Sequence, residues 1–220
     1  MSDSARAPLD LRLEALVRLS ARLACGNTGG WREAIDDALR AAPATEVEET
    51  ILQAYLFVGF PTVLNAFTIL RAAGVEPPPP RDDPSAGDRV RLGEALCRRV
   101  YGTTYERLRS RISELHPALD RWMVEEGYGK TLSRPGLAAA DRELCAVGLL
   151  AAGGHVPQLR SHLRGALHMG APPEAVSEAL AIGIEAAAGE DRSGAPEAGT
   201  LLGVWDDVRG RAETSGCSSI

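Results

Sequence analysis

Apolar side chains recur every three to four residues along nearly the whole chain, which is the spacing of amphipathic helices. The first stripe consists of Leu11, Leu13, Leu16, Val17, Leu19 and Leu23. Later stripes predict helices at residues 89–101, 103–114, 117–126, 138–152, 157–169, 173–188 and 195–212. We therefore expect an all-α fold in which these helices pack their apolar faces together as a bundle.

Turn residues divide the helices of the first part of the chain. Thr45 is a candidate N-cap, with Glu48 three residues later as the second member of a capping box. The helix that follows is expected to end at Gly59 and to start again at Pro61, because proline is tolerated in the first helical turn. Gly74 is expected to end this second segment.

Four consecutive prolines at residues 77–80 mark a break in the chain, since such a run cannot be helical. The surrounding segment, 75–89, is predicted to be an extended linker. It separates an N-terminal helical repeat (1–74) from a C-terminal helical region (90–212). The last residues, 213–220, have the composition of a disordered tail.

The two halves share a pattern of helix, loop, helix, short loop and helix with nearly equal spacing. This pattern indicates an internal duplication of a three-helix unit, and two such units packed back to back would bury one common core. Ala34 of the first copy corresponds to His162 of the second. If the protein has a site, we expect the second copy to carry it.

Composition limits the partners and the compartment. The 220 residues have a net charge of −6, and the 24 basic side chains are interleaved with 30 acidic ones, which argues against a nucleic-acid partner. The start, MSDSARAPLD, lacks an apolar segment typical of a secretion signal, and no membrane span is expected. The cysteines are widely spaced, so a cytoplasmic protein with free thiols is expected; they are Cys25, Cys97, Cys145 and Cys217.

The histidines are the main candidates for chemistry, because all four lie between His116 and His168. Glu143 precedes His162 by nineteen residues and lies on the preceding predicted helix, so an antiparallel pair of helices can bring the two together. A carboxylate that orients an imidazole forms a unit for proton transfer. The alternative is a structural role, with His162 bonded to a backbone carbonyl and Glu143 a solvated partner of Arg142.

Four further residues are candidate members of the same site. His155 lies just before a predicted helix, and Gln158 and His162 are four residues apart, hence neighbours on one helical face. Arg134, next to a proline in a loop, is suited to a substrate carboxylate or, equally, to a helix C-terminus. Tyr128, between two glycines, is a candidate pocket residue or a buried structural tyrosine.

Metal and thiol chemistry have less support in the sequence. His155, His162 and His168 lack a carboxylate at ligand spacing, and there is no H-E-x-x-H motif, so no metal or other cofactor is predicted. Cys145 lies in an apolar run, which favours an inert core thiol. A redox protein that uses Cys145 or Cys217 alone is the remaining thiol hypothesis.

Three segments of the second half resemble the carboxymuconolactone decarboxylase family: GKTLSRPGL, RELCAVGLLAAGG and PQLRSHLRGALHMGAPPEAVSEAL. In that family an RPGL-type loop precedes a helix, and a segment of the form E-L-x-x-H-x-x-x-A-L-x-x-G follows. The resemblance is specific over residues 100–185. The segment VEETILQAYLFVGFPTVLNAF in the first half is similar to another part of the same family, so the resemblance covers about three quarters of the chain.

The resemblance implies an all-helical bundle of the alkylhydroperoxidase D-like type that assembles as a homo-oligomer, a trimer or a hexamer. The redox members of that superfamily carry a glutamate, two cysteines and a histidine at a fixed spacing. Here the corresponding positions are Glu143, His155, Gln158 and His162, so the glutamate and the histidine match and both cysteines are absent. Peroxidase chemistry through a cysteine pair is therefore not expected.

The resemblance favours a cofactor-free decarboxylase, a lyase acting on a small carboxylated lactone or a related acid. Arg134 would bind the carboxylate, and His162, oriented by Glu143, would deliver a proton. His155 and Gln158 would hydrogen-bond to the lactone or the developing enolate. The family tends to have a glutamate at the position of Gln158. The alternatives are a non-catalytic binding or oligomeric scaffold protein, or a peroxidase relative without its redox cysteines.

Overall fold

The computed structural model describes residues 9–26, 28–80, 82–188 and 196–216, and all regular secondary structure in this part of the chain is helical, without a β-strand. The all-α fold class is therefore confirmed for these residues. The helices are α1 (Leu11–Ala24), α2 (Trp31–Ala41), α3 (Ala44–Ala72), α4 (Ala86–Tyr101), α5 (Tyr105–Leu115), α6 (Pro117–Trp122), a π-helix (Met123–Leu132), α7 (Ala139–Gly153), α8 (Val156–His168), α9 (Pro173–Ala188) and α10 (Ala198–Gly216).

The break within α3 lies where the glycine and proline signals place it. Gly59 has φ 78° and ψ 168°, a conformation outside the helical region, and Pro61 follows within the next helical turn. The predicted capping box at Thr45 is wrong, since no side chain caps the N-terminus of α3. Glu48 instead accepts a hydrogen bond from Arg71 Nη2 at 2.6 Å, which joins the two ends of α3 across its kink.

One large core joins the helices of both halves, with α7 at its centre between α1, α8 and α9. Glycines permit the close approach: a Cβ atom at Gly148 would lie 2.7 Å from Val17 Cγ1, and one at Gly183 would overlap with the backbone oxygen of Gly148. The N-terminal and C-terminal regions thus share a core. Helix α1 packs on α2 and α3 much as α7 packs on α8 and α9, while the internal duplication itself stays a prediction.

A second, smaller core lies between α4 and the π-helix, and it includes Cys97, Tyr105 and Tyr128. Here too glycines set the distance between backbones. A Cβ atom at Gly93 would overlap with the backbone oxygen of Val124, and one at Gly129 would overlap with the backbone oxygen of Arg89. This packing holds the π-helix against α4 and so fixes the position of the residues that follow Trp122.

By length and composition alone, α3 is long and apolar enough to cross a bilayer, with a mean hydropathy of 1.4 in its most apolar window. This finding differs from the expectation that no apolar segment is long enough to span a bilayer. The helix is apolar enough because residues 50–70 contain no charged side chain. Such a measure is weak evidence for a membrane span, since core helices of globular proteins also satisfy it. The break at Gly59 also interrupts the helix near its middle.

The predicted linker corresponds to the non-helical segment between α3 and α4. Helix α4 starts a few residues earlier than expected, because the side chain of Ser85 accepts a hydrogen bond from the backbone N–H of Asp88 and caps it. At the other end of the chain, α10 continues to Gly216. Residues 217–220 of the predicted tail, including Cys217, lie outside the described residues.

Candidate functional site

A buried histidine–glutamate pair lies between α7 and α8. His162 Nδ1 is 2.8 Å from Glu143 Oε2, and the two residues are 7% and 4% exposed. Because the carboxylate accepts, Nδ1 carries the hydrogen, and Nε2 is the ring nitrogen that remains for another molecule. The alternative pairing of Glu143 with Arg142 is wrong, since Arg142 donates to Glu49 instead.

The packing around this pair fixes both side chains. A Cβ atom at Gly165, one helical turn after His162, would lie 2.5 Å from Glu143 Oε2 and 2.8 Å from Val100 Cγ1. The glycine therefore provides the space that the carboxylate occupies. The ring of Phe57 meets the His162 ring edge to face, with 5.5 Å between centroids. The imidazole is held from both sides.

His162 lines a cavity of about 900 Å³ enclosed by α3, α4, α6, the π-helix and α8. This volume accommodates a small organic molecule. The walls are mainly apolar and aromatic, and they include Leu52, Tyr55, Leu56, Phe57, Phe60, Val63, Leu119, Trp122 and Met123. Polar side chains line the rest of the cavity: three tyrosines, and Asp83, Glu126, Lys130, Thr131, Arg134 and His162.

Two tyrosines lie beside the imidazole in the cavity wall. The hydroxyl oxygens of Tyr101 and Tyr128 are 2.6 Å apart, and one of the two donates to the other. Burial raises the pKa of both phenols well above the ordinary value. Both therefore stay neutral at physiological pH, and the hydroxyl that accepts within the pair keeps its own hydrogen for another acceptor. Tyr128 thus lies where the sequence analysis expects a pocket residue.

Arg134 also lines the cavity, but a carboxylate of the protein already binds it. Its Nε and Nη2 donate to Glu49 Oε1 at 3.0 and 2.9 Å, and Arg142 Nη2 donates to Glu49 Oε2 at 2.8 Å. Two guanidinium groups share one carboxylate, so the group of three carries a formal charge of +1. Lys130 at the rim pairs with two carboxylates that also line the cavity, Asp83 at 3.5 Å and Glu126 at 3.6 Å. Two basic and two acidic side chains therefore line the cavity, and the excess positive charge is confined to the group around Arg134.

His155 and Gln158 do not line this cavity, and both are exposed. This corrects the expectation that they converge with His162. His155 lies at the turn before α8, with its ring against Gly153. Seven residues separate it from His162, which is about 10 Å along a helix axis. A catalytic role for His155 and a binding role for Gln158 stay predictions without support from this geometry.

The two buried cysteines, Cys97 and Cys145, are unsuited to redox chemistry. Burial raises the pKa of the Cys145 thiol to about 12, and it raises that of Cys97 to about 12 as well. Thiols with such values are protonated at neutral pH and react slowly. Among the described residues, no group of three or more His, Cys, Asp or Glu side chains is arranged to hold a metal ion.

Sequence reasoning missed several parts of the site. Phe57 and Tyr101 carry no local signal beyond their aromatic character. The segment expected to be a helix at 117–126 and then a loop is instead α6 followed by the π-helix. The glycines on either side of Tyr128 were the available signal, because they mark a close backbone approach.

Part of the chain is similar to a known protein family. Residues 117–195 match the model of the Carboxymuconolactone decarboxylase family. This region contains Tyr128, Arg134, Glu143 and His162. The chain is also 29% identical over 147 residues to "Peroxisomal protein 2" of Schizosaccharomyces pombe (strain 972 / ATCC 24843), and the alignment covers 64% of this chain and 68% of that protein.

Proposed function

Because residues 117–195 match the model of the Carboxymuconolactone decarboxylase family, we propose that the chain is a cofactor-free lyase. Its substrate is a small carboxylated lactone or a related acid. One observation carries the proposal: a buried imidazole, bonded to a buried carboxylate, lines a mainly apolar cavity of about 900 Å³. A histidine that a carboxylate orients in this way is a unit for proton transfer.

The proposed reaction breaks the bond between the carboxylate carbon and the neighbouring carbon of the substrate. Carbon dioxide leaves, and the electron pair passes into the conjugated lactone as an enolate. One neutral hydroxyl of the Tyr101–Tyr128 pair donates to the enolate oxygen, and the other hydroxyl donates to the first and supports it. The imidazolium of His162 then donates its Nε2 proton to the enolate carbon, while Glu143 holds Nδ1–H and stabilises the charged ring. Solvent returns the proton to His162.

Arg134 has an indirect part in this proposal. Its group with Glu49 and Arg142 carries a formal charge of +1, and we infer that this local charge orients the carboxylate of an anionic substrate. The substrate carboxylate does not need to displace Glu49. It is therefore held less tightly than in a bidentate pair with a free arginine, which suits a group that must leave as neutral carbon dioxide.

The second candidate is a binding or scaffold protein that keeps the fold without the chemistry. Two features favour it: Glu49 engages two nitrogens of Arg134, and Gln158 lies exposed outside the cavity. In that case the cavity binds a small acid and releases it unchanged. Binding and carbon dioxide release therefore have to be measured on the same ligand.

The test is a panel of carboxylated lactones, with carbon dioxide release measured for the wild-type protein, His162→Ala and His155→Ala. Removing a general acid slows such reactions by about 100-fold or more, so we expect that loss for His162→Ala. His155→Ala is the matched control, and we expect near wild-type turnover because this histidine lies outside the cavity. Binding of a lactone without carbon dioxide release would favour the second candidate.

We further propose that the protein is a homo-oligomer, a trimer or a hexamer. Phe60, Leu64, Leu119 and Trp122 are 66%, 62%, 47% and 52% exposed, and all but Leu64 also line the cavity. Apolar side chains around a cavity mouth are typical of a surface that another chain covers. A second copy at this surface would close the cavity to water. No nucleic-acid partner is proposed, given the net charge of −6.

For localisation we propose the cytoplasm. The thiols of Cys97 and Cys145 are free and buried, which suits a reducing compartment. The yeast relative is named as a peroxisomal protein, and this name supplies the alternative. Cell fractionation with markers for both compartments separates the two: recovery with the peroxisomal marker would overturn the cytoplasmic proposal.

A further inference from the structure

A small cleft of about 90 Å³ lies between α5 and α8, next to the C-terminal end of α4. Three arginines line it: Arg107 and Arg111 on α5, and Arg164 on α8. Arg107 and Arg111 are four residues apart and so lie on one face of their helix. Tyr101 lines both this cleft and the large cavity.

The charges in this cleft are not balanced by the protein. No acidic residue lines it, although the chain as a whole has a net charge of −6. Among the described residues, no carboxylate forms an ion pair with Arg107, Arg111 or Arg164. The nearby acid, Asp207, already accepts from two other arginines, Arg160 and Arg211.

The environment of Arg164 shows the same imbalance. Its side chain is half-buried, and its pKa is lowered, first by this burial and then by the charges of Arg160 and Arg211, with a further contribution from Arg107. A guanidinium is disfavoured in these surroundings, because it has lost hydration and faces other cations. A bound anion would relieve both effects.

Among the polar groups that line the cleft, the arginines are the hydrogen-bond donors that remain for a ligand. Thr104 Oγ1 donates to the backbone oxygen of Tyr101 at 2.7 Å, and Ser161 Oγ donates to that of Pro157 at 3.4 Å. His168 also lines the cleft, and its Nδ1 donates to the backbone oxygen of Val100 at 2.7 Å. Their hydrogens are therefore engaged within the protein. Guanidinium groups bind tetrahedral oxyanions through paired N–H donors.

We propose that this cleft is a binding site for a phosphate group, as inorganic phosphate or as a phosphomonoester. Three cations from two helices suit a phosphomonoester, which carries about −1.5 to −2 charges at pH 7. A volume of about 90 Å³ holds a phosphate and not the larger part of an organic ligand. This site is independent of the proposed lyase reaction, because it needs neither His162 nor Glu143.

The test is isothermal titration of the full chain with inorganic phosphate at low ionic strength. Loss of one charge-assisted contact weakens binding by about tenfold or more, so we expect that change in Arg164→Gln. Arg32→Gln on α2 is the matched control: it removes the same charge from an exposed ion pair with Asp36, and phosphate binding should stay as in the wild type. Absence of phosphate binding by the wild type, or equal weakening in both variants, would overturn the proposal.

Vesicles distinguish the source of the phosphate group. Wild-type protein is sedimented with phosphatidylcholine vesicles that do or do not contain phosphatidic acid. Sedimentation that requires phosphatidic acid and is lost in Arg164→Gln assigns the site to a lipid headgroup. Phosphate binding in solution without such sedimentation assigns it to a soluble phosphorylated ligand. Sedimentation that Arg164→Gln leaves unchanged, without phosphate binding in solution, contradicts the proposal.

Discussion

A Cβ atom at Gly165 would lie 2.5 Å from the carboxylate oxygen of Glu143 that holds His162. Glycine inside a helix costs about 1 kcal/mol relative to alanine, so its presence in α8 needs a reason. The reason is space: because Gly165 has no Cβ atom, the Glu143 carboxylate can lie against its backbone and accept a hydrogen bond from His162. The chemistry of the pair thus depends on a residue that has no side chain.

Gly165→Ala should therefore impair the site without replacing a reacting group. We expect the Glu143 carboxylate to rotate away, the bond to His162 Nδ1–H to weaken, and turnover to fall by about tenfold or more. The Nδ1–H proton resonance and the rate of carbon dioxide release measure the two effects. Gly203→Ala is the control, since a Cβ atom there meets nothing within 4 Å. An unchanged resonance and rate in Gly165→Ala would contradict the positioning role.

Glu49→Gln should destabilise the protein strongly. Arg142 is only 2% exposed, and Glu49 is the carboxylate that pairs with it. Leaving a buried charge without its partner costs about 3–5 kcal/mol, which urea unfolding measures. Asp36→Asn, in an exposed pair with Arg32, is the comparison, with an expected change of about 0–1 kcal/mol. Similar losses in both variants would show that the buried pair has no special role.

The buried thiols predict a loss of stability at alkaline pH. The pKa values of Cys97 and Cys145 rise from 9.0 to about 12 on folding, so the folded state keeps protons that the unfolded state has lost. Stability is therefore full below pH 9 and falls as the pH rises from 9 to about 12. Urea unfolding at a series of pH values measures this slope, which should be smaller in Cys145→Ala.

Alkylation of the native protein is the companion measurement. With peptide mapping, Cys97 and Cys145 should stay unmodified near pH 8 until the protein unfolds, because burial keeps them protonated and inaccessible. Rapid native labelling of Cys145 would revive the hypothesis of a redox protein that uses this thiol.

The exposed aromatic rim predicts an assembly that polar substitutions dissociate. Phe60→Ser combined with Leu64→Ser removes two exposed apolar side chains from α3, and we expect a lower molar mass by light scattering. Leu202→Ser on α10 is the matched control, since Leu202 is 47% exposed away from the cavity. If the double variant keeps the wild-type mass, this rim is not the interface between copies.

Local signals predicted much of the helical framework. Helix α9 has the predicted bounds, and the break at Gly59 follows from the backbone freedom of glycine and the ring of Pro61. The pairing of Glu143 with His162 was also predictable, because two helices joined by a short turn run antiparallel. Residues at about equal distances from the turn then face each other.

Other features depend on contacts between distant segments, and no local pattern encodes them. The π-helix is held by its packing against α4, where Gly93 and Gly129 allow the backbones to approach. The spacing of His155 and Gln158 relative to His162 matches a known signature, but spacing does not fix the surface that a side chain faces. The family resemblance predicts that Arg134 binds a substrate carboxylate, and no local pattern indicates that Glu49, 85 residues earlier in the chain, binds it instead.

The most direct test of the central proposal is turnover of a carboxylated lactone in D₂O by the wild-type protein and His162→Ala. If His162 delivers the proton, the wild-type product carries one deuterium, in a single configuration, at the carbon that lost carbon dioxide. The variant should release carbon dioxide about 100-fold more slowly or worse. Wild-type rates in His162→Ala, with deuterium in both configurations, would contradict proton transfer by the His162–Glu143 pair.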